Sequence, residues 1–313
     1  MGCFACFFIG CHEEKPPLTP VSAMQILNEK HVAFTPEAFL EAFDKGNEEV
    51  VNLFLVAGMK PHILDGRLLF SGIQRDAFKL VQQLVLHKAK IDTTYAGGYI
   101  PLIQAAMYGR SKMTKLFLEA GANPNVKDQW GRSALMYAAR SGNTAVASVL
   151  LDHGADVNEM DENGYPPLWH AVARHSPEMM DKLLAEGADV RLGKLKYGSL
   201  MVAAVYQGDM EMVKRLLYAG LTANSQTEGG YTALMAATRQ GRADLVELLL
   251  TNGADPNKKN YDGYKGETAL LIAAESHRRD LVTKLLEAGA KRRIPDHFGH
   301  TPDSLIRVIL RGK

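Results

Sequence analysis

Apolar residues in this chain come in short stripes at helical spacing, separated by polar breaks. In Asp244–Leu250, the apolar pairs Leu245–Val246 and Leu249–Leu250 recur three to four positions apart. That spacing predicts a helix with one apolar face. Gly253 follows, where a helix commonly ends in a left-handed residue that glycine reaches without a side-chain clash. Upstream, residues 230–237 (GYTALMAA) open another helix, and the polar stretch Arg239–Arg242 breaks the two apart. Thr232, Thr268, Thr301 and Ser133 stand just ahead of first helices, where a hydroxyl can cap free backbone N–H groups.

This two-helix pattern repeats. The terminal glycines Gly121, Gly154, Gly187, Gly220 and Gly253 are 33 residues apart, and Gly289 follows after 36. The apolar residues that open the first helices, Leu69, Leu102, Leu135, Leu168, Met201 and Leu234, keep the same step of 33, and Leu270 follows after 36. One insertion within Lys258–Gly266 explains both shifts, in a loop that absorbs it cheaply. A small residue recurs at one point of the first helix: Ala105, Ala138, Ala171, Ala204, Ala237 and Ala273. Such a column lets neighbouring helices approach closely, and a bulky replacement would push them apart. Self-similarity at this period marks a repeat architecture in which each unit buries its apolar face only against its neighbours.

Residues 131–143 (GRSALMYAARSGN), 150–158 (LLDHGADVN) and 249–257 (LLTNGADPN) carry a specific signature. The pattern resembles the ankyrin repeat over roughly residues 34–311. The resemblance implies an all-α ankyrin-repeat solenoid of helix-turn-helix units with β-turn or hairpin fingers. It also implies about eight repeats plus a partial C-terminal cap within residues 34–313. Several positions depart from the family. Its histidine after the leucine is replaced by Ile103, Met136, Trp169, Val202, Met235 and Leu271, so apolar packing is expected in its place. The unit at Asp65–Asp92 is degenerate, with Lys88 where the terminal glycine belongs, and His175 occupies a turn-glycine slot. Pro36–His62 lacks a finger and reads as an N-terminal cap, and Gly299–Arg311 as a C-terminal one.

Family members bind partners on the concave side made by fingers and first helices. Carried onto this chain, that side comprises Met107, Tyr108, Arg140, Arg174, Tyr206, Gln207, Arg239 and Gln240 from the helix ends. The fingers add Tyr99, Gln129, Trp130, Arg132, Tyr165, Tyr231 and Tyr264. Tyrosine, tryptophan and arginine are the types enriched at interface hot spots. Arg140, Arg174 and Arg239 form a loose line that favours an acidic partner face. The alternatives are finger tyrosines that simply pack fingers together and arginines on an ordinary solvated surface.

Composition narrows the function. Apolar residues are 46% and charged residues 23%, which excludes a disordered chain. No apolar stretch approaches the ~20 residues of a spanning helix. The net charge of +1 gives no general pull toward nucleic acid. No Gly-x-Ser-x-Gly elbow, phosphate-binding glycine loop or His-Glu-x-x-His motif is present. His170 and His175 lack a third ligand at useful spacing for zinc. The expectation is a non-catalytic, monomeric scaffold that binds another protein, with no cofactor and no metal. A host-directed ankyrin effector would have the same fold.

All three cysteines, Cys3, Cys6 and Cys11, lie in residues 1–11 (MGCFACFFIGC). Residues 12–33 read as a polar, proline-containing tether. Residues 8–11 (FIGC) resemble a lipobox with Cys11 as the lipid-bearing residue. That reading puts the chain at a bacterial cell envelope on the periplasmic side, touching the membrane only through the lipid. Residues 34–43 (FTPEAFLEAF) resemble the opening cap of bacterial ankyrin proteins. Gly2 with Cys3 and Cys6 offers dual acylation at the cytoplasmic face of a eukaryotic membrane instead. An unmodified N-terminus in the cytoplasm is the third reading, and a thiol-dependent enzyme using Cys3 and Cys6 is the remaining catalytic one.

Overall fold

The computed structural model describes residues 17–192, 199–261 and 265–311. They form two compact units divided between Lys90 and Ile91. Cys3, Cys6, Cys11, Gly2 and Tyr264 lie outside the described residues.

The first unit holds α1 (Pro20–Glu29), α2 (Pro36–Asp44), α3 (Glu48–Val56), α4 (Arg67–Gln74) and α5 (Phe78–Leu86). The stretch expected to be tether therefore contains a helix. Pro20 sits at the first position of α1, and Thr19 and Ser22 cap each other's backbone reciprocally. Ala23 and Leu27, one turn apart, are buried where α1 packs on α3. Phe39, Phe43 and Phe54 form the unit's solvent-free centre. Gly72 of α4 takes the column's small-residue slot, and a Cβ there would lie 2.5 Å from Val81.

The second unit alternates first and second helices. The first helices are α6 (Pro101–Met107), α8 (Ala134–Ser141), α10 (Pro167–Ala173), α12 (Leu200–Gln207), α14 (Ala233–Gln240), α16 (Ala269–Glu275) and α18 (Pro302–Arg311). Each packs on the next in order. The second helices are α7 (Ser111–Glu119), α9 (Thr144–Asp152), α11 (Pro177–Ala185), α13 (Met210–Tyr218), α15 (Ala243–Thr251) and α17 (Arg279–Glu287). All six alanines of the column are fully buried. Ile103, Met136, Val202, Met235 and Leu271, which replace the family's histidine, are buried too. Thr232 and Thr268 cap their helices as expected, but Ser133 makes no capping bond. His175 and Lys88 carry the positive φ of the glycines they replace.

Two polar devices recur along the units, one closing each finger and one joining each unit to the next. In each finger one side chain closes the turn: Asp128 Oδ1 accepts from the N–H of Trp130 and Arg132, and Asp161 Oδ1 from those of Asn163 and Tyr165. Below the fingers, Asn125, Asn158, Asn224 and Asn257 each donate to the terminal-glycine carbonyl of the next repeat: Gly154, Gly187, Gly253 and Gly289. Each also accepts a backbone N–H two residues further on, from Asp156, Asp189, Asp255 and Lys291. The slot between Asn158 and Asn224 in this ladder holds Arg191, which pairs with Asp189 at 3.1 Å instead. A cleft of about 990 Å³ lies there, lined by Asp189, Arg191, Tyr218 and Gly220 among others. Arg191→Asn should supply the missing staple to Gly220. We expect a gain of about 1 kcal/mol, since each net hydrogen bond contributes about that much. Denaturant unfolding of the two proteins checks it.

Candidate protein-binding face

The fingers and the ends of the first helices place the candidate residues. Each finger is a tight turn with a glycine at positive φ, such as Gly131, Gly164 and Gly230. Neighbouring fingers are joined by backbone bonds, for example from Glu162 N–H to Trp130 C=O at 3.2 Å. Trp130 is thereby held at a fixed height with half its surface exposed, at 50%. The Arg132 guanidinium lies 5.8 Å from its ring centre. Gln129, Arg140, Arg174 and Met107 are also exposed, and Tyr108 is half-buried. Tyr206 is 53% exposed.

Several candidates are used internally. Tyr231 is only 3% exposed and is removed from the surface set. Its slot matches that of Tyr99, which is 39% exposed, so the difference comes from neighbours. The Tyr261 ring lies against the adjacent Gly230, and the Arg239 guanidinium sits 5.8 Å from the Tyr231 ring centre. Gln207 and Gln240 donate their side-chain amides to the carbonyls of Ala173 and Tyr206. They tie adjacent helix ends together and leave little for a partner. Arg239 pairs at 2.8 Å with the buried Glu267, so it does not join Arg140 and Arg174 in an acid-seeking line. Arg140 and Arg174 make no ion pair or side-chain hydrogen bond among the described residues.

The sequence did not single out Asp161, Trp169 and His170 for this face. Tyr165 stacks on Trp169 with centroids 3.8 Å apart, and His170 meets Trp169 edge-on. Buried His170 places Nε2 3.3 Å from Oδ2 of buried Asp161, and Arg132 Nε is 3.8 Å from the same oxygen. Tyr137 occupies the equivalent slot one repeat earlier and donates its hydroxyl to Asp128 at 2.7 Å. The shared slot, a polar ring facing its own finger's acid, was readable from the 33-residue step. Among the described residues no group of three or more histidine, cysteine or acidic side chains is placed to hold a metal.

Burial pushes the His170 imidazole down to about 4, against the pull of Asp161, and Arg132 and Arg140 add to the depression. In the fold the ring stays neutral until about pH 4, whereas the unfolded chain takes its proton from about 6.5 downward. Stability from this site is complete above the upper value and falls as pH drops through the window between the two. His170→Tyr, which copies Tyr137, should flatten that dependence. Denaturant midpoints at neutral pH and inside the window check it, and equal acid losses in both proteins would contradict it.

The family described as ankyrin repeats (three copies) matches residues 102–193 and 200–296. The chain belongs to the ankyrin-repeat family. An ankyrin repeat-containing protein of Treponema pallidum (strain Nichols) is 33% identical over 104 residues, covering 32% of this chain and 35% of that protein. The chain thus matches about a third of that relative's length. The ankyrin repeat domain of Bcl-3, a member of the IκB family, aligns with a TM-score of 0.61 and 27% identity, covering 70% of this chain and 97% of that one. The human ASB11 ankyrin repeat domain aligns at 0.57 and 27%, covering 68% and 97%. The ankyrin repeat is a protein–protein interaction fold. No helix among the described residues is long and apolar enough to cross a membrane.

Proposed function

We propose that this ankyrin-repeat chain is a non-catalytic, monomeric scaffold that grips another protein with its fingers and first-helix ends. The observation that carries this is a set of exposed aromatic and cationic side chains on a rigid frame: Trp130, Tyr206, Arg140 and Arg174. Large aromatics left in water on a braced backbone lose little conformational freedom when a partner covers them. Trp130→Ala combined with Tyr206→Ala should weaken partner affinity by about tenfold or more, as expected for hot-spot aromatics. The unfolding midpoint should stay nearly unchanged, because neither side chain is in the core. A large loss of stability without loss of binding would overturn the assignment.

The finer proposal concerns placement in the cell. Lipid on Cys11 would hold the scaffold at a bacterial envelope, with the segment before α1 as spacer. Intact-mass spectrometry of the natively produced protein tests it. Acyl chains on an N-terminal Cys11 support it, and acylated Gly2 or an unmodified chain overturns it.

A further inference from the structure

Between the fingers and first helices of two adjacent repeats lies a cavity of about 370 Å³. Its lining includes Arg132, Arg140, Arg174, Asn163, Tyr165 and Trp169. We infer that this cavity is a receptor for a carboxylate side chain on an acidic segment of the partner protein. The inference rests on the scaffold reading above and adds the chemistry of the partner.

Charge comes first. Three guanidinium groups and no carboxylate line the cavity, and the acid that meets one of them, Arg132, is Asp161. That acid is already engaged: Oδ1 accepts two finger N–H groups, and Oδ2 faces His170 and Arg132. Arg140 and Arg174 have no counter-charge among the described residues. The two rise from the ends of α8 and α10, one repeat apart, so they flank the cavity from adjacent repeats. Two unpaired guanidiniums over one cavity form a fork-rich surface suited to a carboxylate.

Hydrogen-bond polarity agrees. The lining is dominated by donors: three guanidiniums and the indole of Trp169, whose Nε1–H has no acceptor. Arg132 Nε is likewise buried without a hydrogen-bond acceptor. Buried donors of this kind cost free energy until an acceptor arrives. The neutral state of the buried His170 leaves the arginines as the cationic groups that face an incoming acid. The stacked Tyr165–Trp169 pair supplies an apolar wall for the methylenes that carry the carboxylate. The volume exceeds that of a small free anion, so a side chain with its backbone fits better than inorganic phosphate does. Arg239 lies outside the lining and is held by Glu267, which confines the preference to this pair of repeats.

The test uses the full chain and libraries of short random peptides with one fixed central residue: glutamate, glutamine or phosphoserine. Glutamate libraries should be retained about tenfold better than glutamine libraries, the discrimination expected of a charge-assisted bidentate contact. Arg140→Ala with Arg174→Ala should reduce glutamate retention to the glutamine level at an unchanged unfolding midpoint. Arg239→Ala should leave it intact. Equal retention of glutamate and glutamine overturns the inference, as does undiminished retention by the double variant. Preference for phosphoserine over glutamate overturns the carboxylate assignment in favour of phosphate. Peptides retained without acidic preference but lost in the Trp130→Ala, Tyr206→Ala protein would sink this cavity while leaving the scaffold standing. Retention of no peptide at all overturns the cavity's role, and the scaffold is then judged by its folded partner alone.

Discussion

Ala138→Leu should destabilise the second unit by about 3 kcal/mol, at the upper end for overpacking a well-filled site. Ala138 is fully buried on α8, which packs against α6 on one side and α10 on the other. At this fully buried position the side chain is a single Cβ. Leucine adds three carbons that cannot escape to solvent, so the helices must separate or the side chain must leave its rotamer wells. Separation propagates, because α8 also anchors Arg140 and the finger carrying Trp130. The same change at Ala273 disturbs the joints of α16 to α14 and α18, but only α17 and α18 follow it in the series, so it should cost the molecule less. Stability in such arrays is a sum of unit terms and nearest-neighbour terms. Hydrogen exchange resolved by repeat is the measurement. Ala138→Leu should loosen α6 to α10, whereas uniform loosening of all helices would contradict the nearest-neighbour account.

Gly131→Ala should cost about 2–4 kcal/mol, from a left-handed backbone penalty of about 1–2 and a steric conflict of similar size. Gly131 has φ +69°, and a Cβ there would lie 2.9 Å from the backbone nitrogen of Glu162 in the next finger. That nitrogen donates to Trp130 C=O, so the finger cannot swing away without losing the bond. The turn itself is closed by Asp128, which accepts from Trp130 and Arg132. The substitution should therefore lower the unfolding midpoint and shift Trp130 fluorescence in a Trp169→Phe background. Gly253→Ala is the control. It has the same backbone sign, φ +82°, but open space around its Cβ, so only the backbone penalty should remain. Equal losses at the two glycines would show that the contact between fingers contributes nothing.

Much of the architecture was legible because it is periodic. The alanine column and the terminal glycines each recur six times and the helix-opening apolar residues seven, so chance agreement is excluded and each position's burial follows from its phase. The small loop insertion near Lys258 was equally plain, since both series shift together. Helix α1 was missed for the opposite reason. Its apolar stripe has only Ala23 and Leu27 buried, and prolines and charges surround it. Thr19, Pro20 and Ser22 held the helix-start signal, but so short a stripe gains stability only against α3.

The chain's own pattern of residues set the repeat, its length, its helix pairs and the interaction fold, because these depend on local spacing. Which candidate side chains stay free was decided in three dimensions. Tyr99 and Tyr231 share a sequence slot, yet one is exposed and the other buried, because different neighbours cover them. Arg174 and Arg239 both end first helices, yet only Arg239 meets a buried acid, supplied by a finger 28 residues later. The cavity of Arg132, Arg140 and Arg174 likewise exists only once two repeats are stacked. Burial and charge pairing are properties of neighbours distant along the chain, and a periodic sequence states the period without stating which neighbours each copy will meet.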